Sequence, residues 1–356
     1  MFKITLFFSL AYAVATTALA APPLRIVTGS DRGTYIQIGR DLARQVAVPA
    51  GITLEVMPSK GSSENIKRLR SEPGVRLALV QSDVYQAFLD EAAAGNADAL
   101  HLIKPLKVVM PLYNEEIYFV TRADSPLTYL HEIKDKRINV GPIGSGTALS
   151  ATTVYRLMFG SAMAEKNTSF LNNEDALLKL ATDKSIDVVI VVAGQPAKLF
   201  AEMKPEARQF IKLLRLNDQA PESQAALATY FAATVRASSY PNWLTEDLPT
   251  LTTKAMLVTY DFHGGAPQEM LTQFARSMCQ NFAKLKSEGH PKWQEVSLTL
   301  PPLGKGWNYY GPAERELSRC PATLAQAPGG LASAARTNTS ASACTRDQKV
   351  LGLCKQ

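Results

Sequence analysis

The sequence predicts an α/β protein of two lobes, and three observations support this fold class. The chain has 356 residues, more than one average domain, so two lobes are expected. From Leu24 to about Val258, strand-like apolar runs alternate with segments of helical periodicity, which is typical of βαβ units with mainly parallel strands. Two long extended segments, "KVVMPLYNEEIYFVTRA" and "TKAMLVTY", stand where the chain could cross between the lobes.

Each predicted strand is a short apolar run, and a segment of helical pattern follows most of them. In chain order the predicted strands are "LRIVTG", "ITLEVMPS", "VRLALVQS", "KVVMPLYNEEIYFVTRA", "RINVGPI", "IDVVIVV" and "TKAMLVTY". In the first helix Tyr35, Ile38, Leu42 and Val46 recur at helical spacing and form one apolar face. The late helix "PQEMLTQFARSMCQNFAKLKSEG" is expected to return to the first lobe.

The two long strands divide the chain into its predicted parts. Lobe 1 is expected to contain residues 24–114 and 255–320, and lobe 2 residues 115–254. Residues 321–356 are rich in Ala, Ser, Thr and Gly, which indicates a flexible Cys-containing tail.

The N-terminus has the features of an export signal. Lys3 precedes an apolar stretch that ends in Ala18-Leu19-Ala20, an A-x-A cleavage pattern, so residues 1–20 are predicted to be a signal peptide. The apolar stretch is shorter than the ~20 residues that a membrane span needs. We therefore expect a soluble periplasmic protein.

Composition and charge argue against a nucleic-acid partner. Hydrophobic residues make up 46% of the chain and charged residues 20%, which is ordinary for a globular protein. The net charge of +6 is mild, and no dense block of Lys and Arg accompanies it. A monomer that binds a small solute is expected.

The four cysteines indicate disulfides in an exported protein. Cys279, Cys320, Cys344 and Cys354 all lie in the C-terminal quarter of the chain. Four cysteines allow three pairings, and the sequence does not choose among them. Our prediction pairs Cys279 with Cys320 and Cys344 with Cys354.

Five loops of similar character follow predicted strands. They read "TGSDRGTY", "SKGSSEN", "QSDV", "GPIGSGT" and "AGQPAK", and each precedes a segment of helical pattern. Open α/β sheets bind ligands at the carboxyl ends of their strands, and helix N-termini favour anions because their N–H groups are free. One such loop is usually only a turn, but five shared between two lobes predict a cleft that surrounds a small anion.

Sharper catalytic and cofactor motifs are absent from these loops. "GPIGSGT" has Thr147 where a phosphate-binding loop requires lysine, and "TGSDRG" lacks the middle glycine of a dinucleotide fingerprint. Ser145 has Ile143 two residues before it, so no nucleophile elbow is formed. The four histidines show no metal-binding spacing. We therefore expect no enzyme, no cofactor and no metal.

The polar residues of the loops are candidates for binding a solute. Ser30, Thr34, Ser62, Ser82, Ser145 and Thr147 could donate hydroxyls to a ligand, or cap helices and do nothing else. Asn65 and Gln81 offer amides near the same edge, and Tyr35 could pack against the ligand or only fill the edge of the cleft. Arg32 could pair with a carboxylate, although exposed arginines are more often solvated.

The loops taken together resemble the TAXI family of solute receptors. The segments that carry the resemblance are "TGSDRGTYIQIG", "PSKGSSENIKRL", "LALVQSDV", "INVGPIGSGTALSA" and "IDVVIVVAGQPAKL", in order over about residues 25 to 260. TAXI receptors are the extracytoplasmic subunits of tripartite ATP-independent periplasmic (TRAP) transporters.

The resemblance implies a two-lobed type II periplasmic binding fold that closes on a small carboxylate, such as glutamate or a 2-oxo acid, and delivers it to a sodium-driven permease. The ligand-binding residues it implies are Ser30, Thr34, Tyr35, Ser62, Asn65, Gln81, Ser82, Ser145, Gly146, Thr147, Gly194 and Gln195. The sequence departs from the family at Asp31-Arg32, where small residues or glycine are common, and this pair is expected to influence ligand choice.

Two other functions are also compatible with an exported protein. The same fold serves as the receptor of an ABC importer or as the sensing subunit of a signalling system. A periplasmic enzyme would need a nucleophile beside a general base, which the sequence does not contain as a recognisable motif.

Overall fold

The computed structural model describes residues 23–93, 95–304 and 306–320. The predicted signal peptide (1–20), the predicted tail (321–356), Cys344 and Cys354 lie outside these residues.

The strands of the described chain are β1 (Leu24–Val27), β2 (Leu54–Met57), β3 (Val75–Gln81), β4 (Leu106–Arg122), β5 (Ile138–Asn139), β6 (Thr168–Ser169), β7 (Val188–Ala193), β8 (Ile211–Leu213), β9 (Phe231–Val235) and β10 (Leu248–Tyr260). The α-helices are α1 (Thr34–Leu42), α2 (Ser62–Ser71), α3 (Val84–Ala93), α4 (Ala97–Ile103), α5 (Gly146–Phe159), α6 (Asn173–Ala181), α7 (Lys198–Ala201), α8 (Pro221–Leu227), α9 (Gly265–Glu288) and α10 (Gly311–Leu317).

All ten strands belong to one mixed sheet with the order β2-β1-β3-β10-β4-β7-β5-β6. Strands β1, β2 and β3 are parallel to one another, as are β5, β6 and β7. Strands β4 and β10 are antiparallel to their neighbours. Outside the main order, β8 pairs with β4 and β9 pairs with β10. The predicted α/β class is confirmed, and the order β2-β1-β3-β10-β4 is the type II arrangement that the resemblance implied.

The two long strands β4 and β10 connect the two halves of the molecule. They pair with each other from Leu251 and Ile117 to Tyr260 and Leu106. Near Met256 strand β10 also borders β3, whereas the later part of β4 borders β7. These are the two crossing strands that the sequence predicts, except that β10 begins at Leu248, before the predicted segment.

The hydrophobic core follows the same division. Two clusters contain buried side chains only from residues 24–113 and 255–317, and two others contain them only from residues 117–251. We call the first part lobe 1 and the second lobe 2. Helix α9 packs in lobe 1, where Ser277 Oγ donates a hydrogen bond to the Val46 carbonyl at 2.7 Å.

Several short elements escape prediction from the sequence. Strands β6, β8 and β9 and helix α4 are not predicted, and "RINVGPI" contributes only Ile138–Asn139 to the sheet. Strands of two or three residues carry too few side chains to show an alternating pattern. Their pairing with longer neighbours stabilises them instead. Among the described helices, none is both long enough and apolar enough to cross a lipid bilayer.

The predicted Cys279–Cys320 pair is present, with the two Sγ atoms 2.10 Å apart. It joins α9 to the segment after α10. We expect its removal, in a Cys279→Ser/Cys320→Ser variant, to lower the free energy of unfolding by about 2–4 kcal/mol, because the bond closes a loop of 41 residues in the unfolded chain. Urea unfolding of the variant beside the oxidised protein measures this loss. Equal midpoints for the two proteins would contradict it.

Candidate functional site

A cavity of about 220 Å³ lies between the lobes, at the carboxyl ends of the parallel strands. Drug-sized ligands occupy cavities of roughly 300–1,000 Å³, so this one suits a smaller solute. The residues that line it are Gly29, Ser30, Arg32, Gly33, Thr34, Tyr35, Ser59, Lys60, Gly61, Ser62, Gln81, Glu115, Pro142, Ser145, Gly146, Thr147, Asn172, Asn173, Glu174, Val191, Val192, Ala193, Ala197 and Leu199. All five predicted loops contribute to this lining.

Several helices begin at the cavity, among them α1, α2 and α5. Helix α1 starts at Thr34 and α2 at Ser62, both in lobe 1, while α5 starts at Gly146 in lobe 2. The first N–H groups of a helix have no partner within it, and the helix dipole places partial positive charge there. Their convergence from both lobes makes the cavity favourable for an anionic group.

The backbone of lobe 2 approaches lobe 1 closely at Gly146. A Cβ atom added there would lie 2.6 Å from Ser62 Oγ and 2.7 Å from Gln81 Cδ, both in lobe 1. Gly61 of lobe 1 faces the same point, and its φ of 120° also favours glycine. The sequence G-S-G-T is therefore required for close contact between the lobes as well as for the start of α5.

Most of the predicted binding residues line the cavity. They are Ser30, Arg32, Thr34, Tyr35, Ser62, Gln81, Ser145, Gly146 and Thr147. Several already have protein partners: Ser145 Oγ caps α5 by accepting from the Ala148 N–H at 3.0 Å, and Ser62 Oγ accepts from the Gln81 N–H at 3.0 Å. Thr34 Oγ1 donates to the Gly194 carbonyl across the lobes at 2.9 Å.

Asn65 and Ser82 do not line the cavity. Asn65 is fully buried, and its Nδ2 donates to the carbonyls of Thr28 and Leu79 at 2.5 and 2.7 Å. It therefore fastens α2 to two strands. Ser82 Oγ lies 3.1 Å from Thr253 Oγ1, beside β10. The prediction that these two side chains face the ligand is not supported by their positions, because hydrogen bonds to the scaffold hold both.

Gly194 and Gln195 also lie outside the lining, in the turn after β7. The Gln195 side chain donates from Nε2 to Glu116 Oε1 at 2.9 Å and to the Thr234 carbonyl at 2.8 Å. Its Oε1 accepts from the Arg236 N–H at 2.9 Å. The polar atoms of its side chain thus hold the turn against β4 and against the segment of β9 and Arg236, where a ligand contact was expected.

Below this turn lies a buried ion pair that joins the lobes. Lys292 is fully buried, with Nζ 2.7 Å from Glu116 Oε1 and 2.8 Å from Glu295 Oε1. Glu116 belongs to β4, and Lys292 belongs to the last third of the chain. Burial raises the pKa of Glu116, while the Lys292 ammonium opposes that rise. Together with Gln195, these groups link the crossing strand to both lobes.

Arg32 closes the mouth of the cavity. Its guanidinium forms an ion pair with Glu202, and its Nε lies 3.9 Å from Glu174 Oε1; both carboxylates belong to lobe 2. The side chain is 48% exposed. Arg32 therefore contacts two protein carboxylates across the lobes, and its contact with a ligand carboxylate stays a prediction.

Further hydrogen bonds also join the two lobes. Asp83 of lobe 1 accepts hydrogen bonds from Ser150 Oγ at 2.6 Å and from Tyr230 OH at 2.8 Å, both in lobe 2. The Glu64 N–H donates to the Gly144 carbonyl at 3.0 Å. The structure thus has the two lobes closed around the cavity.

Glu115 is the least exposed ionisable side chain of the cavity lining and is not among the residues predicted from the sequence. Glu115 lies on β4, is 3% exposed, and accepts a hydrogen bond from Tyr35 OH at 2.6 Å. Burial raises its pKa to about 8. The available signal was "NEE", a pair of acidic residues inside an otherwise strand-like run.

The raised pKa of Glu115 makes a prediction about stability. An unburied glutamate has a pKa of 4.5, so between pH 4.5 and 8 the folded protein holds a proton that the unfolded chain has released. Stability is therefore lost as pH rises through this window, by about 1.4 kcal/mol per pH unit. In Glu115→Gln this loss is absent. The free energy of unfolding of the variant minus that of wild type, measured with urea, should therefore increase by about 2–3 kcal/mol from pH 5 to pH 7. A difference that does not change with pH would contradict the raised pKa of Glu115.

A second cavity of about 280 Å³ lies on lobe 2. Arg208, Lys212, Arg215 and Trp243 are among its lining residues, and no predicted binding residue reaches it. Although this second cavity is larger, it lies away from the interlobe cleft, and none of its lining residues begins a long helix. The cavity between the lobes is the better candidate site.

Comparison with known proteins gives a family and several distant structural likenesses. The model of the NMT1-like family matches residues 26–300. Periplasmic binding protein BugD is 13% identical, with a TM-score of 0.48 over 77% of this chain and 85% of its own. The Candida albicans CA3427 product, described as having the generic periplasmic binding protein fold, is 13% identical, with a TM-score of 0.46 over 83% of this chain and 80% of its own.

A third likeness is to ArtJ of Geobacillus stearothermophilus, an arginine-, lysine- and histidine-binding protein. It is 11% identical, with a TM-score of 0.45 over 80% of this chain and 99% of its own. BugD and ArtJ are both named as binding proteins.

Proposed function

The chain belongs to the NMT1-like family. From this family, the cavity between the lobes and the sequence resemblance to TAXI receptors, we propose that it is the solute-binding receptor of a TRAP transporter. In this proposal the mature protein is exported by its N-terminal signal, works as a monomer outside the cytoplasm, and catalyses no reaction. Its solute is a small carboxylate such as glutamate or a 2-oxo acid. The permease subunits of the transporter are its partners.

One observation carries the proposal of an anionic solute. Helices α1, α2 and α5 begin at a single small cavity, two from lobe 1 and one from lobe 2. A carboxylate placed between them would accept N–H hydrogen bonds from both lobes at once. It would therefore bind the closed arrangement more strongly than an open one, and binding would shift the equilibrium towards closure.

The closing motion is assigned to β4 and β10, which are the strands that cross between the lobes. Hinge motion needs only a few residues to change their backbone angles. The contacts of Arg32, Thr34 and Asp83 with lobe 2 would form as the lobes meet. A permease could then distinguish loaded from empty receptor by this change of shape.

A panel of small carboxylic acids tests the binding role. We expect some of them to raise the Tm of the purified protein and to bind with one-to-one stoichiometry in calorimetry. The same acids should be unchanged by NMR after long incubation. Steady formation of product would contradict a receptor, and a panel without any binder would contradict a carboxylate site.

The TRAP assignment rests on the sequence resemblance and needs its own test. Cells of the source organism that lack this gene should lose uptake of the bound acid, and uptake in wild-type cells should collapse with a sodium ionophore. Uptake that survives the ionophore but fails when ATP is depleted would instead assign the receptor to an ABC importer. Unimpaired uptake in the mutant would point to a sensing role.

A further inference from the structure

Glu115 places a buried acidic group in a cavity at which helices α1, α2 and α5 begin. It lies on the crossing strand β4 and is almost fully buried, yet it belongs to the lining of the cavity. Tyr35 OH donates a hydrogen bond to Glu115 Oε2 at 2.6 Å. Among the described residues no hydrogen bond reaches Oε1. A donor on the solute could therefore bind this oxygen.

Within the described chain, no Lys, Arg or His side chain forms an ion pair or a hydrogen bond with Glu115; Lys254 on the neighbouring strand β10 lies opposite Asn114 in the strand register instead. Lys292, the nearest buried ammonium that affects it, is bound to Glu116 and Glu295. Arg32 lies at the mouth and pairs with carboxylates of lobe 2. Lys60 lines the rim and is exposed.

The charged and titratable groups around Glu115 disfavour its ionisation. Glu116 on the same strand and Asp83 after β3 both raise its pKa, and only the Tyr35 hydrogen bond and the Lys292 charge lower it. Tyr113, also on β4, is itself buried and interacts with Glu115. A cation brought by the solute would supply the missing positive charge in a site where charged groups are poorly screened.

The cavity therefore has one region that favours an anionic group and another that favours a cationic group. Helix starts at Thr34, Ser62 and Gly146 favour a carboxylate, and the Glu115 carboxyl favours a cationic donor. We propose that Glu115 binds a protonated amino group of the solute, so that the receptor selects α-amino acids over 2-oxo acids of the same carbon skeleton. This inference rests on the proposed function and narrows its solute class.

Matched pairs of acids test the selection. Calorimetry at pH 7 compares glutamate with 2-oxoglutarate, alanine with pyruvate, and leucine with 4-methyl-2-oxopentanoate. We expect the amino acid of the pair that binds to be at least tenfold tighter, since a hydrogen bond to a charged group contributes about 1.5–3 kcal/mol. Binding should also release protons, because the ammonium lowers the pKa of Glu115; two buffers of different ionisation enthalpy measure this release.

The variant Glu115→Gln isolates the side chain. It should lose about tenfold or more in affinity for the amino acid, release no proton, and bind the 2-oxo acid with little change. Glu269→Gln, the same substitution at an exposed site on α9, is the control and should behave as wild type. Tyr35→Phe is a second variant that keeps the carboxyl, removes its hydrogen bond, and should reduce the preference without abolishing it.

The outcomes separate this inference from the proposed function. If no acid of any pair binds, the proposed function fails, and the inference fails with it. If 2-oxo acids bind as tightly as their amino partners, or if Glu115→Gln leaves the preference unchanged, the receptor function stands and the role of Glu115 is wrong. Proton uptake on binding would likewise overturn the inference, because it would mean that neutral Glu115 donates to an acceptor.

Discussion

Gly146→Ala should weaken solute binding about tenfold to a hundredfold while the lobes still fold. The new Cβ would lie 2.6 Å from Ser62 Oγ and 2.7 Å from Gln81 Cδ in the closed structure. Gln81 is 3% exposed and bonded to Ser62, so it has no room to move aside. Overpacking of this kind costs about 1–3 kcal/mol, and here separation of the lobes relieves it. The cost therefore falls on closure, which binding requires.

Two measurements together identify this effect. Calorimetry gives the loss of affinity, and small-angle X-ray scattering with saturating solute should show a larger radius of gyration for Gly146→Ala than for wild type. Gly304→Ala is the control, since a Cβ at Gly304 meets nothing within 4 Å. Wild-type affinity in Gly146→Ala would show that contact between the lobes at this glycine is not needed for binding.

Lys292→Met should destabilise the protein by about 3–5 kcal/mol, which is the usual cost of removing one partner of a buried ion pair. The ammonium is fully buried and contacts Glu116 and Glu295 at 2.7 and 2.8 Å. Without it, the Glu116 carboxyl stays buried without a cation. At roughly 2 °C per kcal/mol for a chain of this size, Tm should fall by roughly 6–10 °C.

A double variant distinguishes loss of the ion pair from loss of packing. In Lys292→Met/Glu116→Gln both buried charges are gone, and we expect at least half of the lost stability to return. Lys67→Met, at an exposed position on α2, should change the free energy of unfolding by less than about 0.5 kcal/mol. A Tm for Lys292→Met within about 2 °C of wild type would contradict the proposed importance of this pair.

The features best predicted from the sequence are those in which local pattern and position in the fold agree. Loops after β1, β2 and β5 carry small polar residues and start helices, and Thr34, Ser62 and Gly146 accordingly lie at the cavity. The long run of β4 likewise indicated a strand that crosses between lobes. In both cases nearby residues determine the structure.

The predicted binding residues that lie outside the cavity lining are side chains whose partners are distant in the sequence. Asn65 bonds to the Thr28 carbonyl, and Gln195 bonds to Glu116, so each supports the scaffold although its loop faces the cleft. Glu115 is the reverse case. It lies inside a strand, where the acidic pair of "NEE" is its one sequence signal, and the register of β4 brings it to the cavity beside Tyr35.

Hydrogen exchange measured by mass spectrometry, with and without the acid that raises Tm most, tests the central claim most directly. If the interlobe cavity is the solute site, peptides that contain Thr34, Ser62 and Gly146 should exchange more slowly in the complex, because their helix starts hold the carboxylate. Protection confined to the second cavity around Trp243, or absent from all three helix starts while the acid is bound, would contradict the account.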